Sequence, residues 1–337
     1  MSELRRDPIG GRWVIVESEH PRLPEDFKYE RHVFQGGTCP FCYGNESMTP
    51  PEIESVRDAS TSPNTPGWQV RVVSNKFPAL QVEGDLERRG LGIYDMSNGI
   101  GAHEVLIETP YHQKDIPDLL NPEIESFLSM YCRRALDLTR DRRFKYIMVF
   151  KNFGAAAGAS LEHPHTQIVA LPMIPKNVME EIKGAENYFE YRERCIFCDI
   201  IRQELQEKER IVLENRHFIS FCPFVSRFPF EVWIIPRKHN GYFCHMSLEE
   251  IPSLAAILKE TIAKLKTIFP GLSYNFIIHS APVNSASDDG AEYYHWHIEF
   301  MPKLTRVAGF EWGSGFYIVP TPPELAAEYL RGTEVKS

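Results

Sequence analysis

The stretch His163-Pro-His165-Thr-Gln167-Ile-Val-Ala-Leu171 recurs in altered form as His295-Trp-His297-Ile-Glu299-Phe-Met-Pro302. Each copy joins a His-x-His pair to an alternating apolar run, the period-two pattern of a strand with one covered face. Working outward, both are preceded by the same features in the same order. A two-cysteine knuckle comes first, Cys39-Pro-Phe-Cys42 or Cys195-Ile-Phe-Cys198. A strand-like run then leads from a glutamate to a histidine, Glu104 to His112 and Glu231 to His239. Helical amphipathic segments follow, PEIESFLSMYCRRALDLTR from Pro122 and LEEIPSLAAILKETIAKLKTIF from Leu248. An apolar strand, YIMVF or YNFIIH, then precedes the His-x-His strand.

Order is kept while loop lengths differ, as expected of a duplication. Strand-rich units with one long helix apiece predict an α+β fold whose sheets are mainly antiparallel. The first unit is taken as residues 1–185 and carries the sharper motif; the second is 186–337. The segment PMIPKNVMEEIKGAENYFE from Pro172 links them, and SVRDASTSPNTPGW from Ser55 reads as a polar loop. In the strand after His163, alternation puts His163, His165 and Gln167 on one face.

The totals exclude several classes. The chain has 337 residues, 43% of them hydrophobic and 25% charged, an ordinary globular composition. No apolar run approaches the roughly 20 residues of a membrane helix. The N-terminal MSELRRDPIG lacks the apolar core of a secretory signal, so a cytoplasmic protein is expected. With 37 basic and 46 acidic residues the net charge is −9, which argues against a nucleic-acid partner.

The seven cysteines, an odd number without an export signal, do not make a disulfide framework. Cys132, Cys222 and Cys244 read as small buried hydrophobes. The other four read as zinc ligands, because a Cys-x-x-Cys turn presents two thiolates and a tetrahedral site needs two more donors. Cys39 and Cys42 would join His112 and His163; Cys195 and Cys198 would join His239 and His295. Four protein ligands make a closed, structural site. A redox pair is the alternative for each knuckle. In the second half a rival set, His279, His295 and His297 with Glu180 or Glu181, would hold iron or zinc instead.

The chemical centre is placed at His165. A neutral imidazole attacks phosphorus well when its other nitrogen is held protonated by a backbone carbonyl. Gln167 can donate its amide to a phosphoryl oxygen. Just upstream, Asn152-Phe-Gly-Ala-Ala-Ala-Gly158-Ala-Ser160 is a small-residue loop whose backbone N–H groups can approach phosphate, with the Ser160 hydroxyl beside them.

The run CPFC…H…NFGAAAGAS…HPHTQ resembles the galactose-1-phosphate uridylyltransferases of the histidine-triad superfamily. The resemblance runs from RRDPIGGRWVIV through RVVSNKFPAL to GFEWGSGFYIVP, and it is closest to the two-zinc branch that includes the ADP-glucose phosphorylases. It implies two tandem histidine-triad-like halves and a homodimer whose active sites borrow residues across the interface. It also implies ping-pong transfer through a nucleotidyl-His165. Asn75 and Asn152 would then contact the nucleotide and its phosphates, Ser160 in the Gly158 turn the β-phosphate, and Gln167 the transferred phosphoryl. Phe310 and Glu311 would lie near the sugar.

The sequence departs from the hexose-specific pattern near the sugar. Arg22 and His20 stand where the family has arginines, and Arg306 where it has a lysine. UDP-glucose:hexose-1-phosphate uridylyl exchange, with UDP-glucose or UDP-galactose as nucleotide sugar and a sugar 1-phosphate as acceptor, is the leading expectation. ADP-glucose phosphorolysis, with phosphate as acceptor, is the alternative. A hydrolase of nucleotide phosphoramidates or dinucleoside polyphosphates is a weaker reading, since Gln167 occupies the place of its third histidine. A non-catalytic zinc module is the other.

Overall fold

Alternation of apolar residues builds ten strands that lie in a single sheet. From the first half come β1 (Glu52–Arg57), β2 (Trp68–Ser74), β3 (Ala102–Ile107), β4 (Tyr146–Phe153) and β5 (His165–Leu171). From the second come β6 (Ile211–Glu214), β7 (Phe218–Phe221), β8 (Val232–Pro236), β9 (Tyr274–His279) and β10 (His297–Pro302). The structure is a computed structural model that describes residues 1–284 and 290–335. All pairings in the sheet are antiparallel, in the order β1-β2-β3-β5-β4-β9-β10-β8-β7-β6. Counted from the central β4–β9 seam, each half contributes its five strands in the same order. The duplication is thus a pseudo-twofold axis at the seam, where Phe150 pairs with Ile277 and Asn152 with Asn275.

Two 18-residue helices, α1 (Asn121–Leu138) and, after α2 (Lys176–Arg192) and α3 (Ile196–Glu207), α4 (Ile251–Ile268), are the predicted long helices. Pro122 sits in the first turn of α1, where its missing N–H costs nothing, and Glu123 accepts the Leu120 N–H at 2.7 Å. The helix buries Ile124, Phe127, Leu128, Tyr131, Ala135 and Leu138, a stripe at helical spacing. α1 and α4 share one core with β2–β5 and β8–β10, covering one face of the sheet. The cysteine knuckles cover the other. Phe41 packs with Val73, Val105 and Ile107, and Phe197 with Ile219, Phe221 and Ile235.

Two expectations change in register. SVRDASTSPNTPGW is not wholly loop: Ser55–Arg57 complete β1, Trp68 opens β2, and the turn lies between them. Glu231 is the counterpart of His103, not of Glu104, because Gln167 pairs with Val105 while Glu299 pairs with Trp233. The run from β8 to His239 is one residue shorter than that from β3 to His112, which hides the slip in a linear alignment. By the same register Asn152 corresponds to His279, and Gln167 to Glu299.

A smaller sheet joins the ends of the chain, with Trp13–Val16 parallel to Tyr317–Val319 and antiparallel to Glu3–Arg6. No helix among the described residues is long and apolar enough to cross a membrane.

Candidate active site

His165 opens β5, at the centre of the first half. Its Nδ1 lies 2.8 Å from the His163 carbonyl oxygen. A carbonyl only accepts, so Nδ1 carries the hydrogen and Nε2 keeps its lone pair. The ring is 7% exposed, and burial holds its pKa below the ordinary histidine value against the opposing His163 carbonyl. It is therefore neutral at neutral pH. The ring borders a cavity of about 430 Å³ whose lining includes Phe41, Asn75, Phe77, Ser160, His165 and Gln167.

Four of the expected site residues thus meet in one cavity: Asn75, Ser160, His165 and Gln167. Asn152 is not on its wall; its Oδ1 accepts from Asn275 Nδ2 at 2.7 Å, and the same amide donates to the Ala157 carbonyl at 2.9 Å. Second-half Asn275 thereby holds the small-residue loop. That loop needs glycine at 154, with φ +83°, because a Cβ there would stand 2.2 Å from Ser273 Oγ. Gly158, also at φ +83°, closes the turn without lining the cavity. Phe310 and Glu311 lie elsewhere, on α5 (Gly309–Ser314), and Glu311 borders a separate cavity of about 320 Å³ with Arg22, Arg306 and Tyr317.

His163 is not on the cavity face. Pro164 separates it from β5, and its ring turns the other way, with Nε2 on the Thr109 carbonyl at 2.7 Å and Nδ1 3.6 Å from Cys42 Sγ. Burial pushes its pKa down to about 4, so Nδ1 is free to ligate. Cys42 Sγ is 3.4 Å from His112 Nδ1, and the donor atoms of Cys39, Cys42, His112 and His163 all lie within 4.8 Å of one another. The second group repeats the arrangement. Cys198 Sγ is 3.5 Å from His239 Nδ1 and 3.7 Å from His295 Nδ1, and His239 Nε2 meets the Ala291 carbonyl at 2.8 Å. Both groups could hold a metal ion, and at His163 and His239 a carbonyl on Nε2 leaves Nδ1 for it.

His295 thus joins the cysteines. The rest of the rival set, Glu181, His279 and His297, forms a third group within 4.8 Å. Glu180 is exposed and faces Lys176 instead. His279 Nδ1 meets Glu181 Oε2 at 3.0 Å and its Nε2 meets Glu299 Oε2 at 3.2 Å. Burial opposes its charged form, but the two carboxylates raise its pKa to about 10. His297, the counterpart of His165, also turns Nδ1 to the carbonyl two residues back, at 3.1 Å. Its ring, however, stacks between Trp233 and His279, at centroid distances of 4.5 and 4.8 Å, and is wholly buried.

Residue patterns missed a buried network behind His165. Lys151 Nζ and Glu108 Oε2 are 2.6 Å apart with both side chains fully buried, and Glu108 also accepts from the Tyr131 and Thr166 hydroxyls. The signal was a lone lysine in the apolar strand YIMVFKNF. His103, whose Nε2 lies 2.7 Å from Gln167 Oε1, was also missed.

Comparison with known proteins places the fold in a family. The model described as "Galactose-1-phosphate uridyl transferase, C-terminal domain" matches residues 181–324, and the N-terminal domain of a domain of unknown function (DUF4931) matches 98–174. The chain is 35% identical to ADP-glucose phosphorylase of Arabidopsis thaliana, over 98% of this chain and 92% of that protein. It is 32% identical to galactose-1-phosphate uridylyltransferase of Thermotoga maritima over the full length of both. The crystal structure of the Arabidopsis thaliana ADP-glucose phosphorylase with bound ADP-glucose superposes with a TM-score of 0.84 at 34% identity, covering 99% of this chain and 100% of that one. A uridylyltransferase structure superposes with a TM-score of 0.75 at 27% identity, covering 98% and 97%. The fold is that of a nucleotidyltransferase. The chain belongs to the galactose-1-phosphate uridylyltransferase family.

Proposed function

We propose that the protein moves a nucleotidyl group between a nucleotide sugar and a sugar 1-phosphate or phosphate through a covalent nucleotidyl-His165. The observation that carries this reading is the His165 ring: Nδ1–H tied to the His163 carbonyl, Nε2 unprotonated, at the wall of a cavity that also presents Gln167 and Ser160. Nε2 attacks the α-phosphorus, an N–P bond forms, and the P–O bond to the leaving sugar 1-phosphate breaks. The Gln167 amide stabilises charge gathering on the phosphoryl oxygens without protonating them. The acceptor's phosphate oxygen then attacks the same phosphorus and frees His165. Asn75 serves the nucleotide and its phosphates and Ser160, in the turn that Gly158 closes, the β-phosphate, while Asn152, off the cavity wall, serves the phosphates through the small-residue loop that Asn275 ties to it.

UDP-glucose:hexose-1-phosphate uridylyl exchange is the leading form. ADP-glucose phosphorolysis is the second, favoured by the 35% identity and the 0.84 TM-score to the phosphorylase. Residues 1–185 carry the chemistry; 186–337 brace it and supply Phe310 and Glu311 near the sugar of a partner subunit in a homodimer. In support, Glu311, Arg22 and Arg306 share a cavity distinct from that of His165 within one chain. The protein would work in the cytoplasm.

Zinc is the metal proposed for both cysteine groups. With bonds of about 2.3 Å to sulfur and 2.05 Å to nitrogen, a tetrahedron sets sulfur and nitrogen about 3.6 Å apart. The four measured separations run from 3.4 to 3.7 Å. Zinc there would fix the strand entering His165 and take no part at phosphorus. An iron-type site at Glu181, His279 and His297 is less well supported, because carboxylates flank both His279 nitrogens.

Incubation with α-labelled UDP-glucose and, separately, α-labelled ADP-glucose tests the reading. Acid-labile, base-stable label should appear on the chain with one of them and name the base, and His165→Gly should abolish it. No label from either on folded, zinc-loaded protein would overturn the proposal.

A further inference from the structure

Gln167 can help the transfer only if its NH2, not its carbonyl, faces the phosphoryl group, and a free carboxamide has no strong preference between the two orientations. The structure removes that freedom at His103, on β3. The Ala79 N–H lies 3.2 Å from His103 Nδ1. A backbone N–H can only donate, so Nδ1 holds the lone pair and Nε2 holds the hydrogen. That Nε2–H points at Gln167 Oε1, 2.7 Å away. Rotating the Gln167 amide would set its NH2 against another donor and turn its oxygen toward the phosphoryl oxygens, so both ends oppose the flip.

Asn75 lies beside the same nitrogen without bonding to it. Asn75 Nδ2 lies 3.0 Å from His103 Nε2, and Asn75 Oδ1 accepts the Phe77 N–H at 2.9 Å. Because Nε2 already carries a hydrogen, the Asn75 amide does not donate to it; Asn75 is oriented by its own bond to the Phe77 N–H and not by His103.

The second half is an internal comparison. There the place of Gln167 is taken by Glu299 and that of His103 by Glu231, with Arg227 set between the two carboxylates, while the nucleophile's counterpart His297 is stacked out of reach. Histidine and glutamine occur as a pair in the half with an open imidazole, and both are replaced in the half without one.

We propose that His103 is a positioning residue that locks Gln167 with its amide hydrogens toward the substrate phosphates. The inference rests on the proposed nucleotidyl transfer. Its test is a single-turnover labelling assay, with whichever α-labelled nucleotide sugar labels the unmodified protein, on His103→Ala, Gln167→Ala, the double variant and His103→Gln. His103→Ala should slow labelling about ten- to a hundredfold with the substrate half-saturation little changed, less than the loss expected from removing the donor itself. Adding it to Gln167→Ala should change the rate by less than about twofold, since the group it positions is gone. In His103→Gln, whose amide can place an N–H near the position of Nε2, much of the rate should return. Unaltered labelling by His103→Ala, or a double variant that loses the product of the single losses, overturns the proposal. Should His103→Ala not fold, His103→Phe keeps the ring volume without the donor and takes its place in the cycle. Failure of the unmodified protein to label would instead count against the nucleotidyl transfer itself.

Discussion

At His165 and Gln167 the chemistry depends on single hydrogen bonds. Losing the Gln167 donor removes one interaction that strengthens as the phosphoryl group gains charge, so Gln167→Ala should lower kcat by about 100- to 1,000-fold, measured by initial rates at saturating substrate. The metal ligands act differently. Cys42→Ser should reduce bound zinc from about two ions per chain to about one, read by elemental analysis, because the second group has its own four ligands. Should the two groups be unequal in affinity, graded chelation will resolve two steps.

Among elements, the two halves are tied by Asp115. It is fully buried just ahead of α1 and meets Lys266 of α4 at 3.0 Å and the Tyr274 hydroxyl of β9 at 2.7 Å. Burial raises its pKa, but Lys266 and Lys151 overcome this and leave it below its ordinary value of 3.8. The stabilisation is therefore complete above that value and is lost as pH falls beneath it. Asp115→Asn should cost about 3 kcal/mol near neutral pH, and its deficit in chemical denaturation should shrink as pH drops below the ordinary carboxylate range. A second joint is α2, which Gly184 allows to lie against the N-terminal segment. A Cβ there would stand 1.8 Å from the Ile9 carbonyl oxygen. Gly184→Ala should destabilise by about 1–3 kcal/mol and expose the first residues to protease, both checked by melting and limited proteolysis.

For the whole molecule, the separation of Glu311 and Arg306 from the His165 cavity makes a single chain an incomplete enzyme under the proposed reading. His165→Gly and Glu311→Ala should each be inactive alone. Random reassociation of an equal mixture should then restore about a quarter of the activity, because half the dimers are mixed and each holds one intact site. No recovery after verified subunit exchange would place both residues in the same subunit's site.

Much of this was legible in the chain. Two His-x-His strands, two cysteine knuckles and two amphipathic helices in one order determined the α+β duplication, and the same Cys-Cys-His-His order occurring twice proposed both Cys2His2 groups. Short-range periodicity is a property of the sequence and needs no partner to be read. What the tertiary structure decided was contact across distance. It fused the halves into one sheet at β4 and β9, slid Glu231 onto the place of His103, and kept His295 with the cysteines rather than with the rival histidine cluster. It also paired Lys151 with Glu108 and His103 with Gln167. Each of these is a hydrogen bond or register between residues tens of positions apart, whose energy depends on strand order and burial, and neither exists until the chain has folded.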